Sequence, residues 1–190
     1  NGSTYTFIAG KDYSIVFDTV LSKYVAKNVN IKEGSLNFFT YVADLNSENQ
    51  KFLIPTNKAD TSTLTVRVQN SKTDTTGFTD VWQRSVNVTD STNETKVYYL
   101  QQNQDGKYEV YFGDGIISKS LSSGNLVILQ YLVTSGPNAN GAGKSDAVGS
   151  RTFSFQGNLE ATATVKVVSS ASGGSLSESI ESIRFNAPKM

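Results

Sequence analysis

Asp105, Glu109 and Asp114 fall close together on one stretch of a 190-residue chain, and they are the residues that most invite a chemical reading. Two carboxylates ~5–9 Å apart could cleave a glycosidic bond, one as acid and one as nucleophile or base. Turn chemistry explains the same residues more simply. Asp105 sits in Gln104-Asp105-Gly106 and Asp114 in Gly113-Asp114-Gly115, where Asp and Gly are natural turn formers. Glu109 falls on the solvated face of the strand between them. The chain has no histidine and no cysteine. That removes Ser-His-Asp and Cys-His catalysis, disulfides and the commonest zinc ligands. Calcium needs several oxygen ligands at close spacing. The Asp105 loop offers too few, which leaves Asn138, Asn140 and Asp146 as the remaining oxygen donors to consider. Gly143-Lys144-Ser145 has the look of a phosphate loop, but Asn138 stands where that pattern needs glycine, and a strand follows where it needs a helix. No catalytic residue, metal or cofactor is expected.

Strands must position these residues. In Lys107–Phe112, Tyr108, Val110 and Phe112 face one way, and Lys107, Glu109 and Tyr111 the other. A period of two marks a strand with one buried face. Leu126–Val133 is apolar on both faces, as in a strand covered on both sides at the middle of a sheet. With the segment before Gln104, these read as three consecutive strands joined by two glycine-marked turns.

Other strands follow the same logic. Tyr5–Phe7 and Tyr13–Phe17 read as a first hairpin about Gly10-Lys11-Asp12, and Lys23–Val29 as a weaker third strand. Leu36–Val42 is largely apolar on both faces. Thr63–Gln69 alternates cleanly, with Leu64, Val66 and Val68 inward. Pro55 ends a strand or marks a sheet edge, because it cannot donate a ladder hydrogen bond. Val81–Val88 puts Trp82, Val86 and Val88 on one face. Ser150–Gln156 turns Phe153 and Phe155 inward, and Glu160–Val168 turns Ala161, Ala163, Val165 and Val167 inward. Asn70–Gly77 and Thr89–Thr95 are polar loops. Gly136–Gly149 is a long run of small residues. After the Ser169–Gly174 spacer, Leu176, Ile180 and Ile183 fall at helical spacing, with a Ser175/Glu178 capping box before them and Pro188 to stop the helix.

Seventeen basic and seventeen acidic residues cancel. No overall pull toward nucleic acid or anionic membrane is expected. No apolar run reaches the length of a bilayer span. The composition favours a mainly β protein, an antiparallel β-sandwich-like body with a short C-terminal helix. The β domain is expected over residues 1–170, as one sandwich or as two small subdomains split near 70–77. Residues 171–190 would be a spacer and helix leading into a further region, since the chain reads as a piece of a longer protein.

Several segments carry a resemblance. They are Tyr-Phe-Gly-Asp-Gly at Tyr111–Gly115, Leu121–Asn125, the apolar strand ending in Tyr131-Leu132, and Ser135–Gly136 with Ala139–Ala142. Val29–Gly34, the Phe52–Pro55 element followed by Asp60–Leu64, and Ser179–Lys189 add to them. Their order and spacing resemble the baseplate wedge protein of T4-like contractile-tailed phages, within the baseplate-J-like family. The resemblance implies a structural virion protein of the tail baseplate, assembled in the host cytoplasm. It also implies further domains on both sides, dimers, and contacts with other wedge subunits in a ring around the tail hub. Nucleic acid and membrane are not implied as partners.

The candidate interface residues are Leu176, Ile180 and Ile183 on the helical face, and Asn138, Asn140 and Lys144 in the small-residue loop. The alternative is a carbohydrate-binding β-sandwich of a host-recognition protein, which predicts exposed, coplanar aromatics around Trp82. A carboxylate hydrolase predicts Glu109 and a second acid converging in a cleft.

Overall fold

Leu126–Val133, apolar on both faces, lies inside the largest sheet between two strands from distant parts of the chain. A computed structural model describes residues 4–44, 50–74, 80–85, 92–143, 148–155 and 159–176. The chain divides into two units, one formed by Asn1–Gly34 with Ser135–Met190 and the other by Ser35–Thr134.

The first unit holds β1 (Phe7–Ala9), β2 (Val16–Asp18), β3 (Lys23–Val25) and β4 (Ile31–Glu33). β1 pairs with β4, and β2 pairs with β3, so one hairpin nests inside the other. The expected hairpin about Gly10-Lys11-Asp12 is therefore replaced by a turn after Asp18. Asp18 Oδ1 accepts from the amides of Val20 and Leu21, both at 3.1 Å, and caps that turn.

The second unit holds β5 (Ser35–Val42), β6 (Phe52–Leu53), β7 (Ala59–Gln69), β8 (Val81–Arg84), β9 (Val97–Gln102), β10 (Tyr108–Phe112) and β11 (Leu126–Val133). They form one seven-stranded sheet in the order β5-β11-β7-β8-β9-β10-β6. Every pairing is antiparallel except β8 with β9. β7 and β8, on either side of the Asn70 loop, pair within this sheet. In the first unit β12 (Val148–Phe155) and β13 (Leu159–Lys166) form a further antiparallel pair. On β13, Ala163 and Val165 are half-buried while Thr162, Thr164 and Lys166 are exposed, as the alternation requires.

β9 and β10 form the expected hairpin. β11 does not follow them in the sheet but sits between β5 and β7. A strand that is apolar on both faces is best covered away from a sheet end, and the place beside β10 is taken by the two residues of β6. The Gly113–Gly115 segment is thus part of a longer connection. Gly113 lies so close to Ser118 that an added Cβ would be 2.8 Å from the Ser118 carbonyl oxygen.

The sheet curls until its two ends meet, making a nearly closed barrel where two packed layers were expected. The Tyr41 hydroxyl on β5 donates to the Leu53 carbonyl on β6. The inward side chains explain the closure. Phe39, Tyr41, Phe52, Phe112 and Trp82 form a chain of ring contacts, with successive centroids 4.9, 5.5, 5.6 and 5.0 Å apart. Such tilted and edge-on pairs add to the burial of the rings themselves. Ile54, Val66, Val110, Val127 and Leu129 are fully buried around them. Each contributes about 1.5–3 kcal/mol of transfer free energy. Burial also pushes the Tyr41, Tyr98 and Tyr131 hydroxyls above the ordinary tyrosine value.

A bulge supplies part of the curl. The β11–β7 register shifts between Gln130 and Leu132. There Thr63 Oγ1 accepts from the Leu132 amide at 3.0 Å and donates to the Asp60 carbonyl at 2.6 Å. Asp60 Oδ1 accepts from the Ser62 amide at 2.9 Å. The Asp-Thr-Ser-Thr-Leu string thus satisfies the backbone where the ladder breaks, and a bulge increases local twist. The segment expected to form a C-terminal helix, with Ile180 and Ile183, lies outside the described residues from 177 on, as do Val86 and Val88.

Candidate interaction surface

The three acids are occupied by turns and by the sheet. Asp114 Oδ1 accepts from the amides of Ile116 at 2.9 Å and Ile117 at 3.3 Å. These backbone hydrogen bonds hold its carboxyl below the ordinary aspartate value. Asp105 lies in a turn closed by Asn103, whose Oδ1 accepts from the Asp105 and Lys107 amides. Glu109 Oε2 accepts from Gln101 Nε2 at 3.0 Å and lies 3.8 Å from Lys51 Nζ. Among the described residues no three acids gather to hold a metal ion. A shallow groove of about 310 Å³ beside Trp82, lined in part by Thr61, Ser62, Gln83, Arg84 and Tyr98, carries no carboxylate.

Trp82 itself is 4 % exposed, and its ring meets Phe112 edge-on at 89°. It is a core residue of the barrel, so the exposed aromatic platform required for sugar stacking is not built around it.

The apolar surface lies elsewhere. The β5–β11 register places Leu36, Phe38, Thr40 and Val42 on the same face as Leu132, Gln130, Ile128 and Leu126. Phe39 and Tyr41, in the alternate row, join the aromatic interior. The first row therefore points outward. Leu36 is 42 % exposed, Phe38 59 % and Val42 56 %. Three exposed apolar side chains on one row, with Thr40 between Phe38 and Val42, are more than the single scattered apolar residues usual on a surface. On the same face Arg67 Nη1 donates to Gln130 Oε1 at 2.7 Å.

A second apolar surface is the β2–β3 hairpin. Val20, at its tip, is 91 % exposed, and Val16, Phe17, Leu21 and Tyr24 are exposed with it. Phe17 and Tyr24 pair edge-on with centroids 5.2 Å apart. Lys27 Nζ donates to Asp18 Oδ2 at 3.0 Å, and this bond, with the Leu21 amide, holds the Asp18 carboxyl below its ordinary value. The sequence reading placed strands at Tyr13–Phe17 and Lys23–Val29, and the structure has them at Val16–Asp18 and Lys23–Val25. It did not reveal that their apolar side chains stay exposed, because alternation identifies two faces without saying which is covered.

The residues singled out from the sequence fall differently. Asn138 lies in a 3₁₀ turn, Gly136–Ala139, and its carbonyl accepts from the Tyr5 hydroxyl. The Asn140 carboxamide is engaged with Gly174. Leu176 is 80 % exposed in an irregular segment. Lys144, Ile180 and Ile183 lie outside the described residues. Among the described residues no helix is long and apolar enough to cross a membrane.

Comparison with curated proteins gives no match, and neither does comparison with solved structures. A family model described as bacteriophage baseplate wedge protein gp6, third domain, matches residues 41–140. That span takes in β6 to β11, the Thr63 bulge and the Gly113 connection, and it is more than half of the chain. The chain belongs to the family of the third domain of the bacteriophage baseplate wedge protein gp6.

Proposed function

We propose that this chain is a structural component of the phage tail baseplate wedge, located in the virion and working through protein–protein interfaces during baseplate assembly. The observation that carries the reading is the outward apolar row of Leu36, Phe38 and Val42 on a barrel of the baseplate wedge family. A rigid β body with apolar side chains left facing solvent is suited to being held by neighbours. Its partners are other wedge subunits. The full-length protein self-associates as a dimer, and assembly takes place in the host cytoplasm. On this reading the chain performs no catalysis and needs no cofactor, nucleic acid or membrane.

Copurification tests it. Full-length protein carrying an affinity tag is expected to retain the other wedge subunits from infected cells. Replacing Phe38 with Lys and Leu36 with Asp together is expected to reduce that retention while the thermal midpoint changes little. Recovery of the protein without any wedge subunit would overturn the proposal.

A further inference from the structure

An asparagine followed by glycine is chemically labile. The glycine nitrogen can attack the asparagine Cγ, because no glycine side chain crowds the approach and the backbone turns freely. Past residue 2 the sequence has one such pair, Asn140-Gly141. It closes the Gly136–Ala139 turn, and both residues are exposed. Sequence and exposure mark the pair for loss of its amide. The hydrogen bonds around it act against that.

The Gly141 amide donates to the Ala171 carbonyl at 2.8 Å, so the attacking nitrogen is held by its proton. Asn140 Oδ1 accepts from the Gly174 amide at 2.9 Å and Nδ2 donates to the Gly174 carbonyl at 2.8 Å, which points Cγ at Gly174. The extended ψ of Asn140, 135°, turns the Gly141 nitrogen away from the Cβ side on which a ring would close. The Ala171 amide donates to the Ala142 carbonyl at 2.8 Å and ties down the next residue. Each of these hydrogen bonds belongs to one contact, between residues 140–142 and 171–174.

We propose that Asn140 is a guarded deamidation site, inert while this contact is closed and reactive once it opens. In the open state the Gly141 nitrogen forms a bond to Asn140 Cγ and the Cγ–Nδ2 bond breaks. Nδ2 leaves as ammonia, taking up the proton lost by Gly141. Water then opens the five-membered imide at either carbonyl, giving aspartate or isoaspartate at position 140. Neither product can remake the contact. A carboxylate has no donor for the Gly174 carbonyl, and isoaspartate also lengthens the main chain by a methylene. Opening that lasts long enough to react is thereby made permanent. This inference is independent of the wedge role and leaves it standing either way.

Peptide-mapping mass spectrometry tests it on the full-length protein held at mildly alkaline pH. A synthetic peptide with the sequence of residues 136–144 sets the unrestrained rate. Asn140 in the folded protein is expected to convert about 100-fold more slowly than in the peptide, because only the locally opened fraction reacts. Gly174→Ala, whose Cβ would lie 2.3 Å from the Gly136 carbonyl oxygen, is expected to bring conversion to within about tenfold of the peptide. Ala171→Pro, which removes the donor to Ala142, is a second way to open the contact and is expected to act alike. Trp82 fluorescence should show the second unit still folded in both variants. Wild-type conversion at the peptide rate would overturn the proposal, and so would wild-type slowness in both variants. Converted wild-type protein is expected to exchange its Gly141 and Ala171 amides fast. Continued protection of those amides after conversion would overturn the one-way step.

Discussion

The Asn140 side chain and the Gly174 backbone grip each other in both directions. Asn140 Nδ2 donates to the Gly174 carbonyl at 2.8 Å, and the Gly174 amide donates to Asn140 Oδ1 at 2.9 Å. The Gly141 amide donates to the Ala171 carbonyl, and the Ala171 amide to the Ala142 carbonyl, both at 2.8 Å. An asparagine amide can mimic a peptide unit in this way, because it carries both a donor and an acceptor. Two Gly/Ser-rich segments that look like slack linkers are thereby zipped together.

This clasp leaves no room for a side chain at Gly174. An added Cβ would lie 2.3 Å from the Gly136 carbonyl oxygen, which is backbone and cannot swing aside. Gly174→Ala is expected to destabilise the first unit by about 1–3 kcal/mol, in the range of overpacking changes. Asn140→Ala is expected to cost about 1 kcal/mol through two lost hydrogen bonds at an exposed site. Faster amide exchange at Gly141 and Ala171 would report both changes. Unchanged exchange would show that the clasp does not hold these segments.

Gly113 makes an equally tight approach in the second unit. Its added Cβ would be 2.0 Å from Ser118 Oγ and 2.8 Å from the Ser118 carbonyl oxygen. The hydroxyl can rotate, but the carbonyl is committed to the Gly115 amide at 3.0 Å. Gly113→Ala is therefore expected to cost about 2 kcal/mol or more. Denaturation followed by Trp82 fluorescence measures it, since the chain has one tryptophan and it is buried.

The chain of rings across the barrel predicts a graded response. Phe52 lies between Tyr41 and Phe112 and is fully buried. Phe52→Ala is expected to lose about 3–5 kcal/mol, and Phe52→Leu substantially less, because leucine leaves a smaller void. Equal losses in a urea series would show that aromatic stacking, and not volume, decides the site.

Asp18 and Asp114 make stability depend on acid. Their folded pKa values are held low, Asp18 first by the Lys27 hydrogen bond and Asp114 first by the Ile116 amide. Each therefore contributes stability that is present above the unfolded aspartate value of about 3.9 and is lost as pH falls through the folded one. Asp114→Asn keeps a side-chain oxygen as acceptor and removes the titrating group. It is expected to retain the turn and flatten the acid limb of a stability–pH profile. Carboxyl carbon NMR titration should place both wild-type midpoints below that of a free aspartate. A midpoint at the ordinary value for Asp114 would remove the basis of this prediction.

The residues alone determined the cleanest strands and their faces. Leu64, Val66 and Val68, then Tyr108, Val110 and Phe112, alternate because a strand with one wet face must. They are inward in the barrel. The two apolar faces of Leu126–Val133 announced a central strand, and Asp105 and Asp114 announced turns. The tertiary structure decided which strand lies beside which. Alternation specifies a face but names no neighbour, so the passage of β11 past β10, the nesting of β2–β3 inside β1–β4 and the parallel pairing of β8 with β9 are not written locally. Closure of the barrel depends on Tyr41 meeting Leu53 and on Thr63 filling the bulge at Leu132, contacts between residues apart in the chain. The exposure of Leu36 and Phe38 has the same cause. An apolar side chain reads alike whether its own fold covers it or leaves it for a partner, and only the packed chain shows which.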